Sequence, residues 1–508
     1  MLTTTTILTV LISYFLVLIG IAYYTSRNAD SDSFFTGNRQ SPWYLVAFGM
    51  IGASLSGVTF ISVPGAVING SMGYFQVVIG YVVGYIVIAQ LLMPLYYRLN
   101  VISIYEYLNQ RFGKISYKTG ASFFLLSRTI GSAIRLFLAT EVLQLFLFED
   151  LGVPYWLTAL ITIALIWIYT FRGGIKTIVY TDTFQTLFLI SAVIICVVVI
   201  ANSLDVNFSE LWNKISAKNS ASGKSLTTIF FFDDPLSKGY FWKQFIGGAF
   251  LAIAMTGLDQ DLMQKNLTCK SIGDAKKNMY SFTVVLVITN LLFLILGGAL
   301  YVYAEANGVA LPAKTDDTFP MLALNNFGPI AGVFFLLGIT ASSYASADSA
   351  LAALTTGFCI DFLNFSKREE KEKKRLKLYV HIAFSVLFLL IILGTKMYRD
   401  SNPNTDIISL ILTIAGYTYG PLLGLFAFGI FSKRMLREYT VPIICILVPI
   451  LTYVLDVYDQ ALTGGILKGD VYEGGYQFGS ELLIVNGLLT YLALYAISKK
   501  NEKTVLSS

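Results

Sequence analysis

An all-α integral membrane protein is predicted by three features of the sequence. The 508 residues are 55% hydrophobic and only 13% charged, with a mean hydropathy of +0.67, whereas a soluble domain carries about 25% charged residues. Apolar stretches of roughly 18 or more residues, each able to cross a hydrocarbon core as a helix, recur from one end of the chain to the other. No loop between them is long enough to hold a soluble domain, so 1–508 is read as a single membrane domain.

About thirteen spans can be drawn, at 5–24, 43–69, 72–97, 119–147, 155–171, 177–201, 242–263, 280–304, 328–356, 378–396, 405–431, 439–457 and 480–498. The first has no basic n-region, is too long for an h-region and lacks a small-residue cleavage site, so a retained helix is expected rather than a signal peptide. The second is interrupted by Ser54, Ser56, Gly57, Thr59, Pro64 and Gly65. Lipid offers an exposed peptide group no hydrogen-bond partner, so an interrupted span is expected only beside other protein or a wet cavity. The fourth carries Arg128 and Arg135, seven residues apart and so near one helical face. The sixth carries Asp182 about one turn in, and an intramembrane carboxylate is by default a functional hypothesis.

After the sixth span, 202–240 is the longest external segment, with FSELWNKI expected as a short surface helix. The seventh span carries Asp259 and Gln260. The ninth is rich in oxygen, with Thr340, Ser342, Ser343, Ser346, Asp348 and Ser349. Oxygen-rich interruptions near mid-bilayer are how ion-coupled carriers hold small cations. The second and ninth spans together therefore imply a cation-coupled solute carrier. In the eleventh, Gly416, Gly420 and Pro421 predict a hinged gating helix, since proline frees a carbonyl and glycine permits bending.

Orientation follows from Lys and Arg, which concentrate on the cytoplasmic side. With the N-terminus outside and the C-terminus inside, cytoplasmic segments hold about 25 of the 36 basic residues, including the run KREEKEKKRLK. The net charge of +5 is thus topological and not a nucleic-acid signal. The chain is expected in the cell membrane (the inner or plasma membrane), with the lipid bilayer and a small solute as its partners. The four cysteines imply no disulfide framework. The lone His381 is expected to be structural, and one histidine with scattered cysteines makes no zinc site. No nucleophile elbow, phosphate loop or HExxH pattern occurs, so an enzyme is not expected.

Six loop motifs carry a family likeness: DSDSFFTGNRQSPWY, SIYEYLNQRFG, FRGGIKTIVYTDTFQT, TGLDQDLMQKNLTCK, ASADSALAALTTGFCIDF and AGYTYGPLLGLFAFGIF. In this order, over nearly the whole chain, they resemble the sodium/solute symporter family. The resemblance implies a LeuT-type fold: an extra N-terminal helix at 5–24, inverted five-helix repeats at 43–201 and 242–431, and two accessory helices at 439–498. It also implies Na+ as coupling ion, one or two per cycle, and a monomeric unit.

Residue by residue, the resemblance makes Gly52 and Leu55 carbonyl donors to sodium, with Ser342, Ala345 and Ser346 opposite them. A hard cation demands oxygen ligands, which exposed carbonyls supply. Counting back from Asp361 favours Ala345 and Ser346 as the hydroxyl step, although Ser342 and Ser343 also form a double-hydroxyl step that could be aligned three residues later, and small residues also serve close helix packing. In members with a second sodium site an Asp stands at Asp182, and Asp348 and Ser349 are its matching partners here. Helix capping or local pairing is the other reading of both carboxylates.

For the solute, Ser54, Ser56, Thr59 and Phe60 flank the break, Gln76 opens the third span, and Asp259 and Gln260 stand where sugar-carrying members present Asn and Gln. Such residues also simply bind neighbouring helices. Asp261 replaces an aromatic gate residue, and no Lys or Arg occurs from Ser281 to Val302, which weakens a hexose assignment. A guanidinium held at depth clamps a carboxylate through two parallel bonds, so Arg135 points to sialic acid or another carboxylate. The alternative is an Arg135 neutralised by Glu141, Asp182 or helix carbonyls as a structural pair, and the solute stays undecided among a sugar, sialic acid and another carboxylate. Sodium-coupled symport by alternating access is the reading adopted; a proton-coupled carrier and a transporter-like sensor are its rivals.

Overall fold

A computed structural model describes residues 4–26, 37–363, 365, 368–402, 407–468 and 471–500. The helices in the N-terminal third are α1 (Thr4–Ser26), α2 (Trp43–Ser54), α3 (Gly57–Gly70), α4 (Phe75–Leu99), α5 (Glu106–Arg111) and α6 (Lys114–Leu143). The middle of the chain forms α7 (Tyr155–Thr170), α8 (Gly174–Ser203), α9 (Phe208–Ser216), α10 (Phe241–Gly257), α11 (Gln260–Leu267) and α12 (Ile272–Ala306). The rest comprises α13 (Thr318–Asn325), α14 (Gly328–Leu363), α15 (Glu370–Ser401), α16 (Ile407–Phe431), α17 (Val441–Val457) and α18 (Leu482–Ile497).

Among the described residues nine helices are long and apolar enough to cross a bilayer, and eleven spans result when each of two bent pairs counts as one. The other two drawn spans fall on the shorter apolar helices α7 and α18. One small antiparallel hairpin, β1 (Ile466–Lys468) with β2 (Val471–Glu473), interrupts the helical pattern between α17 and α18. The short helix expected at FSELWNKI forms as α9, closed at its start by a capping box in which Asn207 and Glu210 satisfy each other's backbone amides.

The first bent pair is the expected one. α2 ends where Leu55 leaves the helical region at φ −88°, ψ 82°, Ser56 is extended, and α3 restarts at an angle of 62°. The second was not foreseen: α10 and α11 meet at 65°, with Asp259 extended between them and its carboxylate capping the Asp261 amide. Its cap follows the general rule that a short acid satisfies a helix's first free N–H groups.

α2 is seated between α8 and α14 by glycines. A Cβ on Gly49 would lie 3.2 Å from Asp182 Cβ, and one on Gly52 would lie 2.7 Å from Thr186 Oγ1, which accepts the Gly52 amide at 2.9 Å. α14 is buried almost without interruption from Phe335 to Thr356, its Ala, Ser and Thr side chains allowing α7 and α8 to lie close.

The eleventh span departs from expectation, for α16 runs unbroken through Pro421. Proline removes the donor that would meet the Tyr417 carbonyl, and Asn486 Nδ2 of α18 donates to that oxygen and to Gly416 O, each at 3.0 Å. A Cβ on Gly420 would stand 2.1 Å from Asn486, so this glycine seats α18 and is not a hinge.

Candidate functional site

A cavity of about 90 Å³ opens beside the first break. Ser54, Ser56 and Thr59 line it from α2 and α3, Tyr74, Tyr81 and Tyr85 from α4, and Arg128 and Arg135 from α6. The Tyr74 and Tyr81 hydroxyls are 3.3 Å apart. A wider cleft of about 440 Å³ shares Tyr74, Leu251, Ile408 and Leu412 with the cavity and extends to the 202–240 segment, so these four side chains form the partition between them.

At the break itself, oxygen is abundant and charge is absent. The last carbonyls of α2 have no intrahelical donors because the helix stops. Opposite them, a Cβ on Gly57 would lie 2.0 Å from Ser343 Oγ, which places that hydroxyl directly against the start of α3. Among the described residues Ser343 Oγ and Thr340 Oγ1 are buried without a hydrogen-bond partner. Ser342 and Ser346 instead donate back along α14, to Ile339 O at 3.1 Å and Ser343 O at 3.0 Å. Ala345 lies one turn on, 3.4 Å from where a Gly52 Cβ would be. Carbonyl ends facing an unpartnered hydroxyl are the donor set a small hard cation needs, so the residues present fit a sodium ion here. The hydroxyl that faces the break is thus Ser343, three residues before the favoured Ser346, whose own hydroxyl is spent on its helix.

The second break is charged and self-compensated. Arg128, 3% exposed, pairs with Asp261 and lies 3.8 Å from Asp259. Tyr419 donates to Asp259 at 2.5 Å, and Ser349 donates to the other oxygen of Asp261. Further along α11, Lys265 Nζ lies 2.6 Å from Asp182 Oδ2 with both groups buried. Tyr169 donates to Asp348 at 2.8 Å. Lys265 engages one oxygen of Asp182, Tyr169 one oxygen of Asp348, and Asp261 accepts from Ser349, while Asp182 Oδ1 and Asp348 Oδ1 are buried without a hydrogen-bond partner among the described residues.

Several expected solute contacts lie elsewhere. Phe60 is fully buried among Phe293, Phe319 and Phe335, an aromatic core away from the cavity. Gln260 spends its amide on the turn before α5, accepting from Ile104 N at 2.9 Å and donating to Ile102 O at 2.8 Å. Asp259 faces Arg128 and Tyr419 and does not line the cavity. Gln76 lines the wide cleft but pins the 202–240 segment, donating to Gly239 O and accepting from Phe231 N.

Arg135 is different. Both carboxylates considered as its partners are taken, Glu141 by Lys396 at 2.9 Å and Arg399 at 3.1 Å, and Asp182 by Lys265. No ion pair or hydrogen bond to Arg135 occurs among the described residues, and its guanidinium lines the cavity. The sequence missed Lys265 because it falls two residues beyond the drawn seventh span, and missed Tyr169 and Tyr419 because a lone tyrosine in an apolar run carries no pattern.

Residues 34–438 match the family model described as "Sodium:solute symporter family". The chain is 26% identical over 434 residues to the sodium/sialic acid symporter SiaT of Proteus mirabilis (strain HI4320), covering 82% of this chain and 83% of that protein. It is 27% identical over 425 residues to sodium-coupled monocarboxylate transporter 1 of Mus musculus, covering 81% of this chain and 66% of the longer relative. The solved structure of a Na+-coupled sialic acid symporter in a substrate-bound, outward-open state matches with a TM-score of 0.79 at 22% identity, covering 97% of this chain and 99% of that one. That likeness carries the fold, a LeuT-type arrangement, over nearly the full length.

Proposed function

The chain belongs to the sodium:solute symporter family, and from that premise we propose that it takes up a small organic carboxylate, held by Arg135, through alternating access. It is a multi-pass membrane transporter and not an enzyme, with sodium as the coupling ion. The observation that carries the carboxylate is the unpaired Arg135 guanidinium in the cavity beside the break. Arg135 is half-buried with no fixed partner, and a carboxylate bound through two parallel bonds satisfies its guanidinium while fixing the solute's orientation. Relatives named for sialic acid and for monocarboxylates share this acid group. The confined cavity favours a short acid over a sugar acid.

Sodium is bound where α2 stops, by the carbonyls of Gly52 and Leu55 together with the unpartnered hydroxyl of Ser343 on α14. Ion and solute then share one neighbourhood, since Ser54 and Ser56 belong both to the break and to the cavity wall. Sodium binding favours the outward-facing state only through its higher affinity for that state. Solute occupancy of the cavity then accompanies closure of the partition formed by Tyr74, Leu251, Ile408 and Leu412. Two spans bent by 62° and 65°, each opening one half of the chain, support inverted repeats at 43–201 and 242–431. One chain supplies every group named, which supports a monomeric unit. The basic loops support an external N-terminus and a cytoplasmic C-terminus.

Uptake into proteoliposomes tests the reading. Short monocarboxylates should accumulate with an inward sodium gradient, sialic acid less so and glucose not at all. Accumulation that persists unchanged with choline in place of sodium, or a preference for glucose, overturns it.

A further inference from the structure

At the start of α6 two lysines stand one turn apart over an apolar groove that neither the cavity nor the wide cleft reaches. Lys114 and Lys118 line its mouth, Ser122 and Phe123 continue it along α6, and Pro442 and Ile446 of α17 form the facing wall, enclosing about 540 Å³. α17 lies at the rim of the bundle, with 22% of its most apolar window buried against 78% for α14. Its Ile443, Ile446, Leu447 and Ile450 are exposed, so this wall faces lipid tails in a membrane. Residues four apart share a helical face, and like charges so placed repel. Lys114 is also the first residue of α6, where the positive end of the helix dipole disfavours a cation. No ion pair to either lysine occurs among the described residues, and the Lys118 ammonium lies 5.1 Å from the centre of the Phe362 ring. The acids beside them are bonded to other groups: Glu438 accepts the Ile115 amide at 2.7 Å, and Asp361 accepts from the Tyr117 hydroxyl at 2.7 Å.

We propose that this groove holds one anionic phospholipid, its phosphate at the two ammonium groups and an acyl chain against Phe123, Pro442 and Ile446. Basic pockets between helices at the cytoplasmic surface take anionic headgroups, and the orientation proposed above puts this end of α6 on that side. The dimensions agree. At 1.5 Å per residue, Lys114 to Phe123 covers about 13 Å of helix axis, close to the roughly 15 Å that one leaflet contributes to a hydrocarbon core about 30 Å thick. A free phosphate would satisfy the lysines and leave the apolar wall unused, and an uncharged lipid would do the reverse. An anionic lipid meets both. Bound there, it joins the rim helix α17 to α6, the helix that carries Arg128 and Arg135, without touching the ion or the solute.

Lipid added back to the delipidated full-length chain in detergent, with binding read by native mass spectrometry, tests this. The probes are phosphatidylglycerol and phosphatidylcholine with the same acyl chains. The wild type should bind phosphatidylglycerol about thirtyfold more tightly, the preference expected of two lysines at a membrane surface. Lys114→Gln combined with Lys118→Gln should abolish that preference. Lys276→Gln combined with Lys277→Gln removes the same charge from the start of α12 and should keep it. Ser122→Trp, at an exposed position, should weaken both lipids by filling the groove. Equal binding of the two lipids by the wild type overturns the proposal, whatever the variants do. So does a preference that survives loss of Lys114 and Lys118, or one lost equally with Lys276 and Lys277. Displacement of the lipid by inorganic phosphate at equal concentration, or unchanged lipid binding in Ser122→Trp, overturns it as well.

Discussion

The two bent spans turn through nearly equal angles, 62° between α2 and α3 and 65° between α10 and α11, yet their openings are filled in opposite ways. The first is lined by serines, glycines and the free carbonyl end of α2, with Ser343 Oγ left without a partner. The second is lined by Asp259, Asp261 and Lys265, each tied to a fixed opposite charge on another helix. A gap in a helix inside a membrane has to be satisfied by something. Where the chain supplies only neutral oxygen, a diffusible cation can complete the site. Where it supplies charges of both signs, the gap is closed from within.

The largest effect expected from this contrast is at Arg128. Removing one partner of a buried ionic cluster leaves the others uncompensated, at a cost of about 3–5 kcal/mol. Arg128→Ala strands Asp259 and Asp261, so most folded protein should be lost in detergent, read as a collapse of the monodisperse peak and of Tm. Arg128→Ala combined with Asp259→Asn and Asp261→Asn should recover much of it. A stable Arg128→Ala chain would mean that the second break is not held by charge.

The next tests the fit of the first break. In Gly57→Ala the new methyl would lie 2.0 Å from Ser343 Oγ, inside van der Waals contact. Overpacking of this kind costs about 1–3 kcal/mol. Here it is expected to fall on the ion site, so that sodium no longer raises Tm while the sodium-free Tm drops by only a few degrees. Retention of the full sodium-induced shift would detach Ser343 from the ion.

These two breaks also show which parts of the fold and the site were legible in sequence. Composition and span length were enough for the membrane fold, and Ser54, Ser56, Gly57 and Pro64 are conspicuous in an apolar run, so the first break could be located to within a residue or two. The second was harder to see, because its only local signal is Gly257 at the end of α10, before the chain leaves the helix at Leu258 and Asp259. Its stabilising contacts come from Arg128, Tyr419 and Asp182, at separations of 83 to 160 residues that periodicity does not see. Pro421 erred the other way: a local bend signal was cancelled by Asn486, which supplies the missing donor from α18.

A smaller effect belongs to Arg135, which borders the first break but has no fixed partner. Replacing Arg135 by Lys keeps the charge and removes the forked geometry that matches a carboxylate. A lost charge-assisted bond is worth about 1.5–3 kcal/mol, so carboxylate affinity should fall about tenfold or more while sodium binding and Tm stay near wild type. The measurement is a carboxylate titration at saturating sodium. Equal loss in Arg128→Lys and Arg135→Lys would erase the distinction between a paired and a waiting guanidinium.

The smallest change separates two hydroxyls on one helix. Ser343 Oγ faces the start of α3 with no partner, whereas Ser346 Oγ donates to the Ser343 carbonyl at 3.0 Å. Deleting a ligand oxygen weakens ion binding by about 1 kcal/mol in the manner of a single lost polar contact, and deleting a hydroxyl that only bonds its own helix removes nothing the ion needs. Ser343→Ala should therefore raise the sodium concentration for half-saturation roughly fivefold with Tm unchanged in sodium-free buffer, and Ser346→Ala should leave it where it was. The opposite ranking would shift the ion one turn along α14, towards Ala345 and Ser346, and remove Ser343 from the set of groups that complete the open break.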